Sequence, residues 1–324
     1  MVELNGKKIL VTFLMHLGDL TLTTPFIHAL RKAAPDAHIT MLVDEKLKDV
    51  VLFNPYLDEV VTIDKKGRDN SILSLWACSR HLSKLDFDVL INLHPNERCS
   101  FIDAMTSVKL RTGTTHKIFK WFWDVFTPLD RSMHAADMYL DVLQQLGVQD
   151  LSNNGLEIFP GEEHFLEAEL FWQEQNITDQ DKLIGFNIGS AVPTKRWPPE
   201  RFAEVADIFA AKGYKTVFFG GPMDEEMVAE ATGYMQTRPI IATGHFAIGG
   251  LAAAMRRCCL IITNDSGPMH VAISQKVPIV AMYGPSNPKL YGPYTKDAVI
   301  VTAQPPCQGC ADGMKHSCDD LQCM

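Results

Sequence analysis

Short, almost wholly apolar runs recur along this chain, each followed by a longer amphipathic stretch, and the alternation falls into two series. In the first series the strand candidates are Lys8–Leu14, Ile39–Val43, Glu59–Ile63, Phe87–Leu93 and Lys109–Gly113. In the second they are Leu183–Ile188, Lys215–Phe219, Ile240–Thr243, Leu260–Thr263, Ile279–Tyr283 and Val299–Thr302. Their cores read Ile-Leu-Val, Val-Phe-Phe and Leu-Ile-Ile rather than alternating apolar with polar. Parallel strands buried on both faces have that pattern. Strand–helix–strand alternation in turn implies right-handed crossovers and a sheet with helices on both sides.

The polar stretch from Gln149 to Glu163, with Asn153, Asn154, Gly155, Pro160 and Gly161, separates the two series and reads as a linker. The expected architecture is α/β: two doubly wound, Rossmann-like domains, 1–155 and 156–324, facing each other across a cleft. A chain of 324 residues fits that number of domains. In such sheets ligands sit at the carboxyl ends of the strands, so chemistry is sought in the loops found there.

Composition narrows the partners. A net charge of −9 argues against a nucleic-acid binder that works through a global positive field. Lys7 and Lys8 precede the apolar run Ile9–Met15, but the run is short, lacks a small-residue cleavage site and leads into His16-Leu17-Gly18-Asp19. A buried first strand explains it better than a secretory signal. No stretch approaches the roughly 18 apolar residues that span a bilayer, and the expected location is the cytoplasm. A monomer is the default, because no interface signal stands out.

Five strand-end loops carry candidate chemistry. In the first, Gly18 permits a tight turn, and Asp19 falls at or near the start of a helix expected over Thr21–Ala33. Asp19 is either a helix cap or a carboxylate exposed as a general base. The second loop, Gly189–Pro198, combines small residues, Lys195 and Arg196 with a helix opened by Pro198-Pro199-Glu200; this suits a phosphate site or a solvated basic turn. The third, Gly220-Gly221-Pro222-Met223-Asp224-Glu225-Glu226, allows close backbone approach and offers acids for ribose hydroxyls, although acids belong in any first helical turn. The fourth is the most specific: Thr263-Asn264-Asp265-Ser266-Gly267-Pro268-Met269-His270 ends a strand, turns, and starts a helix with Pro268 near its favoured first position. Backbone N–H groups of Ser266 and Gly267 there would suit a pyrophosphate, and His270 is either a ligand group or an interior histidine. The fifth, Tyr283-Gly284-Pro285-Ser286-Asn287-Pro288, reads as a structural turn.

Taken together, the Leu-Gly-Asp-Leu motif after the first strand, Lys195-Arg196-Trp197-Pro198, Gly221-Pro222 followed by acids, and Asn264-Asp265-Ser266-Gly267-Pro268-Met269-His270 resemble glycosyltransferase family 9, the lipopolysaccharide core heptosyltransferases. His134-Ala135-Ala136-Asp137 and the cysteine-bearing tail fit the same pattern, so the resemblance spans nearly the whole chain. It implies a GT-B fold with an N-terminal acceptor-binding domain and a C-terminal donor-binding domain. It also implies inverting transfer of heptose from ADP-heptose to the lipopolysaccharide inner core. By matching motif, Asp19 is the general base. Ser190, Lys195, Asp224 (or Glu225), Asp265, Ser266, Gly267, Pro268 and His270 hold the donor. Acceptor-side candidates are His16, Gly18, Arg98, Lys117 and Lys120.

Departure of a nucleoside diphosphate develops negative charge, which a lysine and preorganised backbone donors stabilise. Inversion needs one base and no covalent nucleophile. No obligatory metal or other cofactor is expected, the ADP-sugar being a substrate. Lys109, Arg111, Lys117 and Lys120 lie among Phe119, Trp121, Phe122 and Trp123. That basic–aromatic stretch suits a phosphorylated, lipid-linked acceptor at the inner membrane face; the alternative is an amphipathic helix that docks its aromatics into the core.

Of eight cysteines, Cys78, Cys99, Cys258 and Cys259 read as buried, reduced thiols. Cys307, Cys310, Cys318 and Cys323 crowd the tail. Only the first pair has metal-ligand spacing, and unligated thiols, a structural metal cluster or disulfides all remain open. Two other functions fit the same architecture: a sugar-nucleotide epimerase of the GT-B type, and a non-catalytic sugar-nucleotide-binding protein, which would have no use for a base at Asp19. A dinucleotide-dependent oxidoreductase is disfavoured, because no G-x-G-x-x-G follows the first strand.

Overall fold

The structure, a computed structural model, describes residues 2–303, 310, 318 and 322–324. It divides into two compact units, Met1–Gly155 and Leu156–Met324. The strands of the first unit are β1 (Lys8–Thr12), β2 (His38–Asp44), β3 (Glu59–Ile63), β4 (Phe87–Asn92), β5 (Val108–Gly113) and β6 (Val125–Phe126). Those of the second are β7 (Leu183–Asn187), β8 (Lys215–Phe219), β9 (Ile240–Ile241), β10 (Cys258–Asn264), β11 (Ile279–Met282) and β12 (Ala298–Val301). All pairings are parallel.

The sheet orders are β3-β2-β1-β4-β5-β6 and β12-β11-β10-β7-β8-β9. Numbered from its own first strand, each unit therefore has the same doubly wound order. Chain direction across the sheet reverses between its first and fourth strands, and ligands of such sheets bind outside the carboxyl ends at that reversal. The points to inspect are the exits of β1 and β4 in the first unit, and of β7 and β10 in the second.

The helices of the first unit are α1 (Leu17–Thr21), α2 (Thr24–Ala33), α3 (Ile72–Ser83), α4 (Glu97–Met105) and α5 (Ala135–Gln145). Those of the second are α6 (Glu162–Glu174), α7 (Pro199–Ala211), α8 (Glu225–Tyr234), α9 (Ile248–Met255), α10 (Gly267–Ser274) and α11 (Pro288–Tyr291). The single helix expected over Thr21–Ala33 is two, because Pro25 enters the first turn of α2 and cannot continue a ladder from before it. Gly18 lies inside α1 rather than in a left-handed turn.

One face of the first sheet buries Leu10, Leu42, Phe87 and Leu90 against Leu75, Leu82 and Ile102 of α3 and α4. In the second unit Phe186 and Phe218 stack with ring centres 5.1 Å apart and are covered by Phe202 of α7. Apolar burial on this scale, worth about 1.5–3 kcal/mol per large side chain, is what holds the strand exits rigid. Cys99 and Cys258 are buried thiols, and burial pushes both well above the ordinary thiol range. Cys78 is half-buried and Cys259 exposed, which corrects the expectation for those two.

Candidate functional site

In the second unit, four loops leave the carboxyl edge side by side, and Asp265 ties three of them together. It directly follows β10 and is buried. Lys195, from the loop after β7, places Nζ 2.8 Å from Asp265 Oδ2. Ser286, from the loop after β11, donates its hydroxyl to the same oxygen. Ser190 donates its hydroxyl to the Asp265 carbonyl at 3.5 Å, and Arg196 Nε donates to the Ser190 carbonyl at 2.8 Å. Beneath them the Asn264 side chain donates to the Ile188 carbonyl at 2.6 Å and accepts from Trp197 N at 3.0 Å. The β7 and β10 exits are thus one hydrogen-bonded unit. Tyr283 lies under this cluster with its hydroxyl donating to the Tyr291 carbonyl at 2.9 Å. Burial, then the Asp265 charge, raises its phenol far above the ordinary value.

Ser266 caps α10 in an extended conformation, and its hydroxyl accepts from Asn187 Nδ2 at 2.8 Å. Among the described residues, the amides of Ser266 and Gly267 meet no acceptor, as expected at a helix start. Pro268 brings no N–H, and Ser266 to Pro268 reach the surface. His270 lies deeper in α10 and is buried. A lysine paired with Asp265 and two amides without acceptors in one hydrogen-bonded frame are groups of the kind that bind an anion.

The loop after β8 adjoins this frame through Asp224. The carboxylate of Asp224 accepts from Gly221 N at 2.9 Å and lies so close to Gly189 that a Cβ there would sit 2.1 Å from Oδ1. A Cβ at Gly220 would be 2.9 Å from Asp224 Cβ. Glu225 turns instead toward Gly244, in the loop after β9. Asp224 is therefore the acid that borders the Gly189–Ser190 turn.

In the first unit, Asp19 stands half-buried in the first turn of α1, with the exposed His16 as helix cap. The loop before it is held by Lys65, which follows β3. Lys65 Nζ donates to the carbonyls of Leu14 at 3.0 Å and Met15 at 2.7 Å, and pairs with Asp44 Oδ2 at 3.1 Å. Arg98 donates to the Lys65 carbonyl and to Asn70 Oδ1. His94, just past β4, packs edge-on against Phe13 at 5.8 Å. Burial, then the nearby charge of Arg131, lowers its imidazole to about 4, so it is neutral at physiological pH.

Lys117 and Lys120 do not belong to this group. They sit in a 3-10 turn over Lys117–Phe122 that follows β5, two strands from β1. No amphipathic helix docks its aromatics there: Trp121 is 94% exposed, and Ile118 and Phe122 are exposed as well. Trp123 turns inward, donating to the Thr112 carbonyl at 3.0 Å, and the half-buried Phe119 packs edge-on against Phe101 at 6.3 Å. Lys109 and Arg111 are engaged by Asp88 and by the carbonyls of Asp103 and Thr106.

Cys307 lies outside the described residues. Cys310 is half-buried and Cys318 exposed, whereas Cys323 is buried with Met324 against Gly284.

The sequence does not mark Asn187, Ser286, His94 or Lys65 as site groups, and Asn264 stands in the most specific motif without a role of its own. Ser286 carried a faint signal, since its loop also ends a strand.

The family model for glycosyltransferase family 9 (heptosyltransferase) matches residues 75–317. The crystal structure of a family 9 glycosyltransferase from Veillonella parvula is 54% identical, with a TM-score of 0.95 over 99% of this chain and 94% of that one. The structure of the Escherichia coli ADP-heptose lipopolysaccharide heptosyltransferase II is 22% identical, with a TM-score of 0.80 over 93% and 92% of the two chains. Lipopolysaccharide heptosyltransferase 3 of Escherichia coli is 24% identical over 297 residues, 87% of this chain and 84% of that protein. The chain belongs to glycosyltransferase family 9, the heptosyltransferases, and is a glycosyltransferase with the GT-B fold.

Proposed function

We propose that this enzyme moves heptose from ADP-heptose to the lipopolysaccharide inner core with inversion at the anomeric carbon. The second unit, residues 156–324, binds the donor, and the first, residues 1–155, binds the acceptor. The observation that carries the reading is the hydrogen-bonded cluster at the β7–β10 reversal. There Lys195 is held by Asp265, whose carboxylate also accepts from Ser286, in the same frame as the acceptor-free amides of Ser266 and Gly267. Such a frame holds a pyrophosphate and stabilises the charge that grows on it as the sugar departs, with little reorganisation. Asp224 meets the ribose. The names of the Escherichia coli relatives support heptose as the sugar and ADP as its carrier.

Asp19 takes the proton from the acceptor hydroxyl as that oxygen attacks the anomeric carbon. The bond from that carbon to the pyrophosphate breaks on the opposite face, and ADP leaves. His16 and Arg98 flank the acceptor side. The exposed Trp121, Ile118 and Phe122, with Lys117 and Lys120 beside them, suit contact with an anionic lipid surface at the inner face of the membrane. Among the described residues, no helix is long and apolar enough to cross a membrane.

The test is to incubate the protein with ADP-heptose and a deacylated, truncated lipopolysaccharide, following ADP release and acceptor mass. The expected result is ADP that appears only with acceptor, and an acceptor heavier by one heptose. Donor turnover without acceptor would favour the epimerase, and binding without turnover a non-catalytic module.

A further inference from the structure

We infer that Lys65 is a positioning residue for the transfer step: it fixes the backbone from which Asp19 projects. The inference rests on the reading of Asp19 as the base. Lys65 belongs to neither the β1 exit loop nor α1. It sits after β3, and its side chain reaches past the end of β2 to the loop after β1. Its ammonium donates to Leu14 O and Met15 O and forms an ion pair with Asp44 Oδ2. Its own carbonyl is held by Arg98, at the start of α4, so the exits of β3, β2, β1 and β4 are linked through the side chains of Lys65 and Arg98.

The need for such a clamp is local. The helix that carries Asp19 has five residues, and its capping residue His16 makes no side-chain cap. A helix that short does not persist on its own hydrogen bonds. Met15 is the last residue before the cap, so the direction of its carbonyl sets where α1 begins and which way its first turn faces. A buried lysine–aspartate pair is a poor device for stability alone, since desolvation offsets much of the attraction. It is a good device for holding two carbonyls at a defined distance, because losing its bonds leaves the buried Leu14 carbonyl and the partly buried Met15 carbonyl without that donor.

The test is a double-mutant cycle on the full chain, with ADP affinity and thermal melting as controls. Lys65→Met keeps the length and apolar stem and removes the donors. In the wild-type background it is expected to lower kcat roughly 10- to 100-fold, the scale of a misplaced catalytic group. ADP affinity should be unchanged, since the donor groups belong to the other unit. In the Asp19→Asn background Lys65→Met should cost almost nothing further, because it acts through the carboxylate already removed. Lys65→Gln, which can still donate to the two carbonyls, should recover part of kcat, and it carries the same cycle if Lys65→Met does not fold.

Two outcomes would overturn the inference while leaving the base intact: unchanged kcat in a folded Lys65 variant, or a loss in the Asp19→Asn background as large as in wild type. Full transfer by Asp19→Asn would remove the base itself, and the inference with it.

Discussion

Asp103 is an acid that the fold keeps protonated. It is buried against β1 with the Thr12 hydroxyl donating to Oδ2 at 2.9 Å, and Oδ1 has no partner among the described residues. Burial raises its carboxyl to about 8. An exposed aspartate releases its proton near pH 4, so the contribution to stability is complete below that value and is lost as pH rises through about 8. Asp103→Asn removes this titration. Compared with wild type, the variant should gain about 1 kcal/mol or more in denaturant stability between roughly pH 5 and pH 9. A pH-independent difference would contradict the assignment. Nothing in the order of residues marks Asp103, Lys65 or His94 as unusual, because their properties come from the strands that enclose them. Asp265 and Lys195 were legible since each lies in a loop whose type is informative, but their ion pair joins positions seventy residues apart.

At the scale of elements, the loops act through close backbone approach. Gly189 shows this most directly, because Asp224 occupies the space a Cβ would need. Gly189→Ala should displace the Asp224 carboxylate, weaken ADP binding and lower stability by about 1–3 kcal/mol, the usual range for overpacking; calorimetric titration and melting measure both. Unchanged affinity would mean that Asp224 does not meet the nucleotide. Most strands were legible because they are apolar runs that need little context, and Glu59–Ile63 and Lys215–Phe219 coincide with their expected bounds. β6 was not, since its two residues, one exposed and one half-buried, carry no run to read. The aromatic stretch 117–123 was ambiguous for a physical reason: its composition fits a docked helix, and only the fold shows Trp121 turned outward.

At the scale of the molecule, the same strand order appears in both units, and each carries its candidate groups at its own reversal point. Alternation along the chain implied parallel sheets, but strand order is a long-range property that no local pattern contains. Adding ADP to the full chain should protect amides at 188–197, 220–225, 264–268 and 283–287 from hydrogen exchange, while the first unit's sheet is unaffected. Protection centred on the β1 and β4 exits would reverse the donor and acceptor assignments. The most direct test of the central claim compares wild type with Asp19→Asn for acceptor-dependent release of ADP from ADP-heptose, with donor affinity measured in parallel. Wild type is expected to add one heptose per ADP released. Transfer by the variant is expected to be about 10²- to 10⁴-fold slower, with donor binding retained. Full transfer by Asp19→Asn, or ADP release that ignores the acceptor, would contradict the claim.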